Sequence, residues 1–220
     1  MIRIAILVEG QTEEKFVKQL LVNEFMANGI SIIPIILKTS RETSGNSYKG
    51  GYITFTKVKK ELQNLLSNFD YISTMFDYYG LSHDFPRYQE SKECNNVYEK
   101  AKMVEDALAE EISSIKFIPY IQMYEFEALL FSSIKGFKKH YGYRNAEIQA
   151  VINQYPNPEI INDSKETAPS KRIENIFGKN KFRKTSDGII VAKELGLEII
   201  RTKCKHFNEW LKKIEGVLQC

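Results

Sequence analysis

Four short apolar runs, each followed by a stretch with helical spacing, constrain this chain more than any other feature. The runs are Met1–Val8, Ile30–Leu37, Tyr71–Phe76 and Phe117–Met123. Each is too short for a helix and rich in β-branched or aromatic residues, so each is predicted to be a buried strand. After the first, Phe16, Val17, Leu20, Leu21 and Phe25 recur at helical spacing. Thr12 is placed to cap that helix, Glu13 and Glu14 suit its positive end, and Asn28-Gly29 stops it. Residues 56–69 turn Val58, Leu62, Leu65 and Leu66 inward, Asn96–Ser114 reads as a long polar helix, and "EFEALLF" opens another at Glu125. The order βαβαβαβα, with connections long enough to cross over, predicts an α/β fold: a mostly parallel sheet flanked by helices. Pro34 marks the second strand as an edge or a bulge, and the polar stretch Thr39–Gly51 reads as a mobile loop. Beyond residue 134 the strand signal fades into short helices broken by "YPNPE", "KETAPSKR" and "KTSDG". Residues 1–134 are therefore read as the α/β core and 135–220 as a C-terminal helical extension packed on it, with "GLEII" near Leu197 a candidate short strand.

Composition narrows the class. A chain of 220 residues that is 43% hydrophobic and 27% charged is an ordinary folded protein. It has no run of eighteen apolar residues, so no membrane partner is expected. Its first residues lack a signal-peptide layout, and three scattered cysteines (Cys94, Cys204, Cys220) fit a reducing, cytoplasmic setting. The net charge of +3 is unevenly spread. Residues 1–134 carry 14 Lys/Arg against 18 Asp/Glu, while residues 135–220 carry 17 against 10. An acidic front and a basic back suit a metal-binding part and a polyanion-gripping part, although solvated faces can produce the same imbalance.

Acid follows three of the four strands: Glu9 after the first, Asp77 at the end of the third, Glu125 and Glu127 after the fourth. In an open parallel sheet the crevice outside the carboxyl ends of the strands is where ligands bind, so these acids are expected to meet there. Clustered carboxylates repel unless something positive sits among them. Mg²⁺ (or Mn²⁺) is the economical partner, because it takes one or two carboxylates, keeps several waters and accepts phosphate oxygens in the remaining positions. Glu13, one turn into the first helix, can face the same crevice, and Gly10 permits a tight turn and close approach of a ligand. Any one of these acids alone reads better as a helix cap or a solvated loop residue; three such strand ends in one sheet bring the two readings level.

These residues resemble a Toprim-type domain. "VEGQTE" at 8–13 is similar to the motif that carries the first metal-binding glutamate of such domains, and "FDYYG" at 76–80 resembles their Asp-x-Asp motif, with Tyr79 where a second aspartate is usual. More closely, "ILVEGQTEE", "TMFDYYGLSHDFP", "PYIQMYEFEALLFS", "INDSKETAPSKRI" and "CKHFNEWL" look like a bacterial Toprim-like family related to OLD-type Toprim nucleases. That family is often encoded in defence or mobile loci beside an ABC/SMC-like ATPase. The resemblance implies a metal-dependent hydrolase, a nuclease on DNA or RNA, with Glu9 and Asp77 binding the metal. Asp84, Glu125 or Glu127 would complete the set, Glu13 would assist, and an ATPase would be the partner. The departure at Tyr79 keeps a second reading alive: a non-catalytic binding or effector subunit regulated by that ATPase.

The basic half supplies a candidate phosphate grip. "APSKRIENIFGKNKFRK" at 168–184 holds Lys171, Arg172, Lys179, Lys181, Arg183 and Lys184 against one acid, Glu174. Phe177 and Phe182 are interleaved, either for base stacking or for the core. Lys171 and Arg172 follow Ser170 at a predicted helix start, where a phosphate is favoured; by the same resemblance Lys171 is the candidate catalytic lysine. Other chemistries are poorly served. "GNSYKGG" at 45–51 lacks the Gly-Lys-Ser/Thr ending of a nucleotide-triphosphate loop. Cys204 and His206 have no second ligand pair for zinc, and "HFNEWL" reads as core or a partner surface. Self-association into a homo-oligomer stays open.

Overall fold

β1 (Ile2–Val8) is apolar from Ile4 to Val8, and no polar side chain interrupts that run. The computed structural model, which describes residues 1–37, 53–162 and 166–219, shows why: β1 is bonded on both edges and covered on both faces. A parallel strand in that position has no wet side, so the usual polar alternation is lost. Ile4, Ile6 and Val8 enter one apolar cluster, and Ala5 and Leu7 enter the other.

Beyond β1 the chain forms α1 (Gln11–Phe16), a wider-wound π turn at Val17–Leu21, and α2 (Val22–Met26). Gly29, at φ +83°, then turns the chain into β2 (Ile30–Ile36). The predicted Thr12 cap is replaced: Thr12 is buried, and the first turn is closed by Gly10 N–H donating to Glu13 Oε2 at 3.0 Å. β2 runs parallel to β1, Pro34 opposite Ile6, and lies at the edge of the sheet, where the missing proline N–H leaves no interior strand unpaired. α3 (Phe55–Leu66) turns Val58, Leu62 and Leu65 inward. β3 (Tyr71–Asp77) pairs parallel with the other edge of β1, Val8 opposite Met75. α4 (Tyr88–Ser91) is a single turn, and α5 (Val97–Ile112) starts where the Asn96 side chain accepts from Tyr98 N–H.

The expected fourth strand over Phe117–Met123 is split into β4 (Phe117–Ile118) and β5 (Ile121–Gln122), both parallel to β3. Pro119 lies in the gap and has no N–H to give. The Thr74 hydroxyl bridges the break, donating to the Tyr120 carbonyl at 2.9 Å and accepting from Tyr120 N–H at 3.0 Å. The sheet order is therefore β2-β1-β3-β4, with β5 also on β3.

A 3-10 segment at Phe126–Ser132 stands where a regular helix is expected, followed by α6 (Ile134–His140), α7 (Asn145–Gln154) and a 3-10 turn at Pro158–Ile160. α8 (Pro169–Phe177) precedes a π turn at Lys184–Gly188, which leads into α9 (Ile189–Leu195). α10 (Leu197–Lys203) and α11 (Lys205–Gly216) end the fold. The "GLEII" run, a candidate strand, is the start of α10, and only its Ile200 is fully buried. The polar stretch 39–51 lies outside the described residues. α11 docks on β3 and Tyr120: Trp210 stacks on the Tyr120 ring at 4.3 Å and its Nε1–H donates to Ser73 Oγ at 2.8 Å. Phe177 and Phe182, candidates for base stacking, are buried in the core. Among the described residues no helix is long and apolar enough to cross a membrane.

The Thr74 bridge carries a testable energy. Thr74→Val keeps the volume but leaves both Tyr120 main-chain groups buried and unpaired, which is expected to cost about 2–4 kcal/mol in urea-induced unfolding. A loss under about 0.5 kcal/mol would show that the β4–β5 break does not depend on the hydroxyl.

Candidate metal centre

The order β2-β1-β3 sends the chain from β1 to opposite sides of the sheet, which opens a crevice at the carboxyl ends of β1 and β3. Both strands end there in acid. Val8 pairs with Met75, so Glu9 lies one residue beyond that pair and Asp77 two. The main chain of Asp77 hydrogen-bonds to the Glu9 carboxylate. Gly80, just after β3, lets that carboxylate lie against the backbone: a Cβ there would stand 2.5 Å from Glu9 Oε2. Glu13 arrives from the first turn of α1, and Glu127, 1% exposed, from the 3-10 segment after β5. Lys184 enters from the first residue of the π turn before α9, with its Nζ 2.9 Å from Glu127 Oε1. Two tethers hold that turn: Lys15 donates to the Thr185 carbonyl at 3.1 Å, and Asp187 Oδ2 accepts from Arg183 N–H at 2.8 Å.

Among the described residues, four carboxylates thus share a poorly solvated crevice with one ammonium. Burial first, then the neighbouring Glu13, pushes Glu9 up to about 7. Burial lifts Asp77 well above the ordinary range, reinforced by Glu13, Glu9 and Glu127. Glu127 is raised by burial against the pull of Lys184, and Glu13 by burial against its main-chain hydrogen bonds. Burial alone would lower Lys184, but Glu127, Glu125 and Asp77 hold its ammonium above its usual value. As a residue Asp77 is half-buried, yet its Oδ1 is sealed from solvent and has no hydrogen-bond partner. Glu127 Oε2 is likewise sealed and has no hydrogen-bond partner among the described residues, and Oε1 forms the ion pair with Lys184.

Sealed, unpartnered carboxylate oxygens beside a third acid are a donor set for a hard divalent cation. The fit has a limit. Among the described residues no three His, Cys, Asp or Glu side chains are grouped to hold one metal ion. The arrangement therefore suits an ion held by one or two carboxylates with water completing its shell, the usual Mg²⁺ pattern.

Of the residues singled out in the sequence, Glu9, Glu13, Asp77 and Glu127 lie within one another's electrostatic reach. Glu125 is close enough to act on Lys184, but its Oε2 accepts from Ser170 N–H at 2.9 Å and so caps the start of α8. The α8 N-terminus expected to take a phosphate is thus taken by a carboxylate of the chain itself. Asp84 is used elsewhere, accepting from Phe55 N–H at the start of α3 and from the Ser82 hydroxyl. Gly10 is extended, and a Cβ there would only touch Glu13 at 3.5 Å; the close approach belongs to Gly80. Lys171 projects outward and pairs with Glu174 at 2.7 Å. Arg172 donates to the Thr167 carbonyl and the Tyr155 hydroxyl and lies over the Tyr155 ring. The lysine in the crevice is Lys184. It was one of six basic residues in its segment, distinguished only by standing just before the Thr-Ser-Asp-Gly turn. His206 pairs with Glu105 at 2.8 Å and Cys204 with Ser132, so neither is placed for zinc. The 45–51 loop lies outside the described residues.

A family model described as "Domain of unknown function (DUF4276)" matches residues 8–215. Two solved structures of the C-terminal region of the Xanthomonas campestris pv. campestris OLD protein are similar to the chain. The one phased with mercury is 16% identical, covering 99% of this chain and 98% of that one, with a TM-score of 0.40. The one phased with iodine is 17% identical, covering 94% of each chain, with a TM-score of 0.38. No curated protein matches.

The crowding of acids has a pH signature. Glu9 is raised from 4.5 to about 7, so the folded chain keeps a proton that the unfolded chain gives up between those values. Stability from this group is complete below pH 4.5 and is lost as pH rises through 7. Glu9→Gln removes the charge while keeping an oxygen for the Asp77 main chain. In chelator-containing buffer at pH 8 the variant is expected to be more stable than the parent by up to about 3 kcal/mol, with the gain gone at pH 5. Equal melting temperatures for the two proteins at both pH values would show that the acids do not strain the fold.

Proposed function

This chain belongs to the DUF4276 family, and we propose that its acidic crevice is a Mg²⁺- or Mn²⁺-dependent site that hydrolyses phosphodiester bonds in nucleic acid. One observation carries the reading: Asp77 Oδ1 and Glu127 Oε2 are sealed without partners beside Glu9, at the carboxyl ends of the two central strands. Glu9 and Asp77 would hold the cation. When bound, such an ion supplies Lewis acidity and a place for a nucleophilic water. Glu13 and Glu127 would orient that water and take its proton, a role that carboxyls raised above their ordinary range can serve near neutral pH. Lys184, already charged and already in the crevice, would neutralise the scissile phosphate, in place of Lys171 on the outer face. The Toprim-like motif residues Glu9 and Asp77 support the same assignment.

A second reading draws on the lack, among the described residues, of a three-carboxylate group and on Tyr79 standing where an aspartate is usual. On that reading the crevice binds without cutting, and an ATPase partner regulates it.

The two readings separate in one set of measurements. The purified chain is mixed with Mg²⁺ or Mn²⁺ and plasmid, single-stranded DNA and RNA, and metal uptake is followed by calorimetry. Glu9→Gln and Asp77→Asn are expected to lower cleavage by about 10²-fold or more with the circular dichroism spectrum unchanged. Lys184→Ala is expected to lose at least tenfold more activity than Lys171→Ala. Undiminished cleavage by Glu9→Gln removes the mechanism. No metal uptake under any condition, with no cleavage of any substrate, favours the binding subunit.

A further inference from the structure

Beside the acids stands a group of tyrosines that the proposed chemistry does not use. Tyr78 and Tyr79 follow Asp77 directly, and Tyr124 precedes Glu125. Tyr78 is buried, packed edge-on against buried Tyr88 at 5.1 Å, and its hydroxyl is 2.7 Å from Ser91 Oγ. Tyr124 stands edge-on to Tyr78 at 6.3 Å and lies 5.3 Å from Tyr79 at a tilt of 47°. Tyr79 N–H donates to the Tyr124 carbonyl at 3.2 Å. Tyr124 holds this place at φ +59°, a left-handed conformation that is costly for an aromatic residue. At the outer end of this cluster Tyr79 is 39% exposed, while Tyr78 and Tyr88 behind it are closed off. The next residue, Gly80, is the one whose backbone touches Glu9. Tyr79 is joined to Gly80 by one peptide bond, and Glu125 is near enough to act on its hydroxyl, so the exposed tyrosine adjoins the acidic crevice along the chain.

We propose that Tyr79, braced by Tyr124 and Tyr78, is a stacking platform for one unpaired nucleobase of the substrate, so that the crevice takes single-stranded rather than duplex nucleic acid. This rests on the nucleic-acid reading above and names its substrate class. A base inside a duplex has both faces covered by its neighbours, whereas an unpaired base can lay one face on an aromatic ring. Stacking of this kind tolerates any base, so the platform selects for strandedness and not for sequence. Tyr79 thereby does different work from the acid that its position in the motif would lead one to expect.

The test uses the full chain carrying Glu9→Gln, which separates binding from cleavage. The probes are 12-nucleotide DNA and RNA single strands, each with one 2-aminopurine, and their duplexes. Base stacking is read from fluorescence quenching and affinity from anisotropy. The single strands are expected to bind at least tenfold tighter than the duplexes. Tyr79→Leu is expected to weaken single-strand binding about fivefold or more and relieve the quenching, while Tyr79→Phe retains both. The DNA and RNA arms show which backbone the site accepts. Unchanged affinity in Tyr79→Leu, equal binding of duplex, or no binding of any strand overturns the platform. Tyr79-dependent binding together with no cleavage by the parent chain leaves the platform standing and overturns the hydrolytic reading.

Discussion

β1 is hydrogen-bonded in parallel on both edges and covered by apolar side chains on both faces, and the rest of the molecule follows from that. A strand so enclosed has no lateral surface on which to carry chemistry. Polar function can appear only where the strand stops. The first such position is Glu9, and because β3 stops beside it, Asp77 joins it. The enclosed stretch of β1 from Ile4 to Val8 carries no ionisable side chain, so its first carboxylate stands where the crevice begins.

Tolerance there is incomplete. Glu9, Asp77, Glu13 and Glu127 face one ammonium, Lys184, and each carboxyl is pushed toward its neutral form. A fold selected for stability alone has a cheaper option, since uncharged amides of the same shape carry no such repulsion. Retaining four acids at a strained location is the pattern of a binding site whose charge balance is completed by a ligand. The hydrogen bonds limit the strain and set the geometry. Glu13 is held by Gly10 N–H and Glu9 by the Asp77 main chain, so two of the acids are oriented before any ligand arrives.

The parallel α/β architecture was legible in the sequence because buried parallel strands read as continuous apolar runs, and these were long enough at 1–8, 30–37 and 71–76 to leave no ambiguity. The fourth run misled because Pro119 and Thr74, 45 positions apart, together decide where that strand breaks. "GLEII" misled because its β-branched residues pack as one face of a short helix, a case in which tertiary contact overrides propensity. Of the candidate site, the acids at strand ends were visible, since topology alone gathers them. The lysine was not. Six basic residues between 171 and 184 look alike in sequence, and which one enters the crevice is set by the π turn at Lys184–Gly188 and its tethers to Lys15 and Asp187. Glu125 and Gly10 were visible for the wrong reason: one caps α8, and the other yields the close approach to Gly80.

Lys184 also explains why the C-terminal residues cannot be treated as an ornament on the sheet. The acids come from residues 9 to 127, and among the described residues the cation that pairs with them comes from residue 184. Its turn is bonded to α1 through Lys15, the same helix whose first turn carries Glu13. Withdrawal of Lys184 would take one positive charge out of the crevice and loosen the Lys15 bond to the helix that presents Glu13. On the proposed reading, affinity for the cation and grip on the phosphate would be coupled, because both depend on where the Lys184 ammonium stands. Charge neutralisation by a flexible surface lysine has no such coupling, since it is screened by solvent and bonded to nothing that moves with the site.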